Sequence, residues 1–188
     1  SDPGFSPNDE YVLYTARRDF EHDLFIYNIR GNKSTNITET SISEISPIWA
    51  PDGKSIFFSS QRLKPLYPFG LPDAKVYQLV LDKTDDPFRI DKFNELFKDE
   101  KKDTAKKVSN KDSIIPIAIE MDLLMERLNQ LSPDLGAQFL LAVSQKNEKT
   151  TVLYISNHDE GKNALWKSVI EPFEEKKTEK IAGTEGLN

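Results

Sequence analysis

One internal repeat restricts this chain more than any other feature. Its first copy runs Phe5-Ser6-Pro7-Asn8-Asp9-Glu10-Tyr11-Val12-Leu13-Tyr14-Thr15-Ala16-Arg17-Arg18. Its second runs Trp49-Ala50-Pro51-Asp52-Gly53-Lys54-Ser55-Ile56-Phe57-Phe58-Ser59-Ser60-Gln61-Arg62. An aromatic, a proline, a turn pair, an apolar run, small residues and an arginine recur 44 positions apart. A period of that size is the length of one four-stranded β-propeller blade.

Each part of the repeat has a physical reason. In Pro51-Asp52-Gly53 the proline presets φ, the aspartate bonds nearby backbone and the glycine accepts positive φ, which is hairpin chemistry. Asn8-Asp9 can do the same less well. The runs Ile56-Phe57-Phe58 and Tyr11-Val12-Leu13-Tyr14 lack strict alternation, so these strands are expected to be buried on both faces, as stacked blades require.

Further strands are expected at Leu24 to Ile29 and Val76 to Leu81, with outermost strands at Ser34 to Thr38 and Phe88 to Ile90. Between Gln61 and Val76 the second copy is about eight residues longer, and Pro65, Pro68 and Pro72 forbid regular structure there. That insertion reads as a loop on the propeller face.

The middle of the chain changes character. Lys98 to Asp112 is rich in Lys, Asp and Glu and reads as a mobile loop, because it cannot bury enough apolar area to offset ordering. Ile114 to Ile119 reads as a strand, and Asp122 to Leu128 as a short helical turn. A second β region follows, with strands at Phe139 to Ser144, Thr151 to Ser156, Leu165 to Ile170 and Glu179 to Ala182. Asn157 to Asn163 is a polar turn between two of them.

The expected fold is therefore all-β: an incomplete β-propeller of four-stranded antiparallel blades, the end of one propeller plus the start of a second. Residues 1–95 form the last blades of the first ring, 96–113 a charged flexible loop, 114–135 a connector and 136–188 the first blade of a second propeller-like region.

Composition removes several function classes. The net charge of −6 over 188 residues argues against a nucleic-acid partner, which would want a basic stripe. No apolar run approaches the roughly 18 residues of a membrane span. With no cysteine there are no thiolate metal sites, and the redox compartment cannot be read. Periplasm and cytoplasm both stay open, the periplasm being preferred. No cofactor is expected.

The segment from Trp49 to Ser60 resembles the WD40-like repeat of TolB and of tricorn-type serine peptidases. The segment from Ile119 to Leu128 is similar to the one joining the first and second propellers of tricorn-like peptidases, and Ala164 to Val169 resembles an early strand of that second propeller. Gly136-Ala137-Gln138-Phe139 departs from the family by its more apolar setting. The resemblance implies a large serine peptidase of many domains, whose catalytic serine and histidine lie in later domains and cannot be carried onto this chain. Its propellers are thought to admit peptides or release products through axial channels.

Few residues are candidates for contact. Arg18 and Arg62 hold equivalent repeat positions at strand ends. They could meet acidic peptide groups, or simply bond backbone or a neighbouring blade's aspartate. Tyr67 and Phe69, in the proline-rich loop, are the best exposed aromatics, with plain packing as the alternative. His22 and His158 sit near carboxylates in sequence, but a metal or triad role needs convergence in space, and solvated loop histidines are the commoner case. Trp49 and Trp166 read as packing between blades. Asn32-Lys33-Ser34 and Asn36-Ile37-Thr38 match the glycosylation pattern, read as chance matches in a Ser/Thr-rich stretch. No Gly-x-Ser-x-Gly elbow occurs, so catalytic and metal residues are assigned to none.

Three functions stay open. The chain is the non-catalytic propeller part of a tricorn-like peptidase, or part of a TolB-like propeller that only binds proteins, or a propeller preceding a prolyl-oligopeptidase-type hydrolase. Its partners are then peptides or other domains of the same protein. Ring closure needs at least four blades, so the chain is expected to be a fragment of a longer protein. Alone it is expected to expose the faces carrying Tyr11, Leu13, Ile56 and Phe58, and to cover them by folding its two β regions together or by self-association.

Overall fold

A computed structural model describes residues 3–63, 72–82 and 116–187. Three four-stranded antiparallel sheets account for nearly all regular structure among them. The first joins β1 (Gly4–Phe5), β2 (Tyr11–Arg18), β3 (Glu21–Asn28) and β4 (Lys33–Asn36) in chain order. The second joins β5 (Glu44–Trp49), β6 (Ser55–Ser60), β7 (Lys75–Val80) and β8 (Leu128–Gln130). The third joins β9 (Gln138–Lys146), β10 (Lys149–Ser156), β11 (Ala164–Ile170) and β12 (Lys177–Lys180).

The repeat sets the local geometry. The Gly53 amide closes a turn on the Ala50 carbonyl at 2.9 Å, with Gly53 at φ 71°. The Asp9 amide closes the same turn on Ser6 at 2.9 Å, with Asp9 at φ 56°. The first copy thus puts an aspartate into the left-handed region that the second gives to glycine; aspartate is one of the few side chains that tolerates it. In both copies the residue before the proline pairs back to the next strand: the Ser6 amide reaches the Tyr11 carbonyl at 2.9 Å, and the Ala50 amide the Ser55 carbonyl at 2.8 Å.

The second sheet lies in the middle. Every residue of β6 is buried. Its Ile56 and Phe58 face Leu13, Leu24 and Ile26 of the first sheet in one core. Its Phe57, with Val76, faces Leu140, Val152 and Tyr154 of the third sheet in another. The absence of alternation in Ile56-Phe57-Phe58 follows from having a sheet on both sides.

This placement corrects the expectation about exposed faces. Leu13, Ile56 and Phe58 are fully buried between the first two sheets, and Tyr11 packs half-buried beside them. Among the described residues, the faces left unpartnered are the opposite ones. On the first sheet, Phe5 pairs with Val12 and Val12 with Tyr27, while Tyr14 stacks on Phe25 with ring centroids 5.5 Å apart. On the third, Ile155 is flanked by Phe139 and Leu165. Phe5 is 64% and Phe139 39% exposed.

The fourth strand of the second sheet also differs from expectation. β8 pairs Leu128 with Leu79 and Gln130 with Tyr77, so the edge of β7 is filled from the connector. Phe88 to Ile90 lies outside the described residues, as do 83–115, the charged loop among them. The expected strand at Ile114 to Ile119 is not one where it is described. Pro116 brings no amide donor, and Ile117 and Ile119 are used as side chains packed on the first core. The short helical turn is present as a 3-10 turn at Leu124–Arg127. Arg127 fixes it in place, donating from Nε to the Val80 carbonyl at 3.0 Å and from Nη1 to Asp122 at 3.0 Å. Its Nη2 reaches the carbonyls of Leu81 and Glu120.

Candidate functional site

Strand ends collect the charged side chains at one end of the stack. Register explains why: Ala16 pairs with Asp23, Glu44 with Ser60 and Ser60 with Lys75, and Gln138 pairs with Ser156. These positions close β2, β6 and β10 and open β3, β5, β7 and β9.

Arg18 and Arg62 both lie here, and both are held by acids of their own sheets. Arg18 Nε meets Asp23 Oδ2 at 2.9 Å, and Asn36 Nδ2 donates to the same oxygen at 2.6 Å. Arg62 Nη2 meets Glu44 Oε1 at 2.7 Å, and the Thr40 hydroxyl donates to it at 2.8 Å. Asp23 and Glu44 are both fully buried. Each arginine therefore takes its acid from within its own sheet, not an aspartate from a neighbouring blade. Arg18 remains half-exposed, while Arg62 is mostly covered.

The electrostatics are tight. Burial pushes the Glu44 carboxyl up from 4.5 to about 7. The Arg62 guanidinium and the Thr40 and Thr38 hydroxyls pull it down, and the neighbouring Asp23 charge pushes it up. Asp23 Oδ1, Glu44 Oε2 and Arg62 Nε are buried without a hydrogen-bond partner among the described residues.

A third pair continues the series. Lys75 is fully buried, with Nζ 2.6 Å from Asp73 Oδ1 and bonded to the Gly136 carbonyl of the segment leading into the third sheet. Gly136 has φ 73°, and a Cβ there would stand 2.7 Å from the His158 amide nitrogen. Gln138 then ties the same segment together, donating to the carbonyls of Pro133 at 2.8 Å and Leu135 at 2.7 Å. The Ser59 hydroxyl accepts the Leu140 amide at 2.9 Å, a direct bond between the second and third sheets.

The other candidates separate. Tyr67 and Phe69 lie outside the described residues. His22 is exposed. His158 is not a solvated loop histidine: its ring lies 4.1 Å from that of Trp166, and Nδ1 is 2.6 Å from Ser156 Oγ. Burial lowers its pKa below 6.5, the Asp159 charge opposing and the Lys180 charge assisting. This serine–histidine contact is a turn cap rather than a nucleophile pair, since Ser156 is fully buried and its hydroxyl also accepts the His158 amide at 3.3 Å. Trp49 is buried in the first core and Trp166 packs on the second. Asn36 is engaged by Asp23 and by the amides of Thr38 and Glu39, a structural role that a glycan would disrupt. Among the described residues no cluster of His, Asp and Glu is placed to hold a metal ion.

Sequence reasoning missed Lys75, Glu44 and Arg127. The only signal for the first two was position. They open β5 and β7, where register within the sheet sets both beside Ser60.

No family model matches the chain, and no curated protein matches it. Solved structures do. The tricorn protease matches with a TM-score of 0.57 at 15% identity, over 99% of this chain and 18% of that one. TolB from Acinetobacter baumannii matches with a TM-score of 0.55 at 11% identity, over 98% of this chain and 33% of that one. A putative TolB from Agrobacterium tumefaciens matches with a TM-score of 0.51 at 13% identity, over 99% of this chain and 52% of that one. The chain thus spans from under a fifth to about half the length of these structures. With three stacked four-stranded sheets, the fold is that of a partial β-propeller, resembling the propellers of TolB and tricorn.

Proposed function

We propose that this chain is a non-catalytic propeller segment of a tricorn-like serine peptidase, serving peptide or product access or protein interaction. The observation that carries the reading is a pair of sheet faces that no described residue covers, Phe5-Val12-Tyr27 at one end of the stack and Phe139-Ile155-Leu165 at the other. In a propeller each blade's apolar face is covered by the next. On this reading such faces belong to a run of blades within a larger ring, and other domains of the same protein, or a second copy, cover them. The assignment of 136–188 to a second ring belongs to the same proposal.

The charged strand ends fit a supporting role. Their three ion pairs close within the chain, and so they stiffen the blade ends rather than present free charge. The test is the product of the complete reading frame, treated with a serine-reactive fluorophosphonate probe. The reading expects one labelled serine outside residues 1–188 and no labelling of the isolated chain. Specific labelling within 1–188, or no labelled serine anywhere, contradicts it; the second result is what a TolB-like binding propeller would give.

A further inference from the structure

One edge strand borders an open apolar groove. β4 is the outer strand of the first sheet, with no further strand beyond it among the described residues. The Ile37 amide donates to the Leu24 carbonyl at 2.9 Å while the Leu24 amide donates to the Thr38 hydroxyl at 3.1 Å, which makes Lys33 and Thr35 the positions of β4 that exchange hydrogen bonds with β3. Antiparallel alternation then turns the backbone N–H and C=O of Ser34 and Asn36 outward. These are the groups through which an added strand pairs.

Beside this edge a cavity of about 300 Å³ adjoins one of about 430 Å³, and the two share Thr35, Ile37 and Met121. The opposite wall is the connector, through Ile119, Met121 and Met125. Both methionines of the chain are therefore in this groove. Methionine is the side chain that best adapts to varied apolar partners. Met121 is 43% exposed.

The groove is electrically polarised. Lys33 stands at one end, and Glu39 and Glu126 at the other. A segment with a cation at its amino end and an anion at its carboxyl end meets the glutamates and Lys33 when it runs opposite to β4. That is the antiparallel direction, the one every neighbour in this sheet already uses. β4 itself extends over four residues, Lys33–Asn36, roughly 13 Å at about 3.3 Å per residue, so the middle four residues of a six-residue segment pair with it and its ends reach past it.

We propose that this groove binds an extended peptide segment of another protein as a fifth, antiparallel strand on β4. The segment has apolar side chains at alternate positions facing Ile37, Ile119 and Met121, a cation near its amino end and an anion near its carboxyl end. The site is independent of the peptidase reading, since it uses only the first sheet's edge and the connector.

The test uses the whole chain, labelled with nitrogen-15, and two peptides with blocked termini: Lys-Val-Thr-Val-Thr-Glu and its charge-swapped form Glu-Val-Thr-Val-Thr-Lys. The first should bind, shifting the Ser34 and Asn36 amides and slowing their hydrogen exchange. The swapped peptide should bind about fivefold to tenfold more weakly, the effect of exchanging surface attractions for repulsions at both ends. Met121→Asp, at a half-exposed position, should weaken the first peptide at least as much. Equal binding of the two peptides, no binding of either, binding that leaves Ser34 and Asn36 unperturbed, or indifference to Met121→Asp each overturns the proposal.

Discussion

Asp23 and Lys75 occupy the same station in successive sheets and are both fully buried, although their charges are opposite. Asp23 pairs across the ladder with Ala16, and Lys75 with Ser60, the residue that holds the place of Ala16 in the second copy of the repeat. Each brings its own counter-charge, Arg18 for the aspartate and Asp73 for the lysine. The fold therefore demands a satisfied side chain at this station and leaves its sign open.

Lys75 also holds the Gly136 carbonyl, and so links the second sheet to the segment that begins the third. Lys75→Ala should destabilise the chain by about 3 kcal/mol, the lower range for breaking a buried pair, because Asp73 is partly open to water. Urea unfolding measures this. A loss below about 1 kcal/mol would place the pair among those that contribute little.

Two glycines should resist substitution. Gly53 has φ 71°, so Gly53→Val should cost roughly 1–3 kcal/mol of strain. Gly136 has both a positive φ and the His158 backbone in the place of a Cβ, so even Gly136→Ala should lower the melting temperature clearly. Thermal unfolding measures both, and a Gly136→Ala variant that melts with the wild type would refute the close approach.

Arg127 should not tolerate lysine. Its fork donates to four backbone carbonyls, and a single ammonium cannot reproduce that geometry. Arg127→Lys should lose about 1.5–3 kcal/mol, the range for hydrogen bonds to a charged group. Amide exchange in β8 should quicken, since the arginine sits at its start. Unchanged protection at Leu128 and Asn129 would show that the connector is held by other means.

The Glu44 carboxyl gives a pH signature with a definite sign. Its folded pKa of about 7 lies above the unfolded 4.5, so the folded chain binds the extra proton between those values. This contribution is fully present below pH 4.5 and is lost as pH rises through 7, by a total of about 3 kcal/mol. His158 acts with the opposite sign, its lowered pKa costing stability as pH falls below 6.5. The difference between the wild type and Glu44→Gln isolates the carboxyl. The wild type should lose stability relative to the variant from pH 5 to pH 8, and a difference that does not vary with pH would contradict the buried, raised carboxyl.

Local chemistry was the legible part of the fold. The two turns, the strand between Ser55 and Ser60 and the strands of the third sheet all follow from residues close together in sequence. Asp9 even takes the same backbone conformation as Gly53. What stayed hidden depends on distant segments. Leu128-Asn129-Gln130 has no β-strand pattern, and it is a strand because the edge of β7 is open to it. Lys75 reads as a surface lysine, since lysine is almost never buried unpaired. Its burial is visible only once Gly136 arrives from the third sheet. The exposed faces were misassigned because alternation within one strand does not say which side meets the neighbouring sheet.

The central claim is that the second sheet lies between the other two, with adjacent phenylalanines of one strand serving different cores. Nuclear Overhauser contacts from the two rings test it most directly. The account predicts contacts from the Phe58 ring to Leu13 and Leu24, and from the Phe57 ring to Val152 and Leu140. Contacts from both rings to a single sheet, or from Phe57 to neither Val152 nor Leu140, would contradict the stacked-blade arrangement.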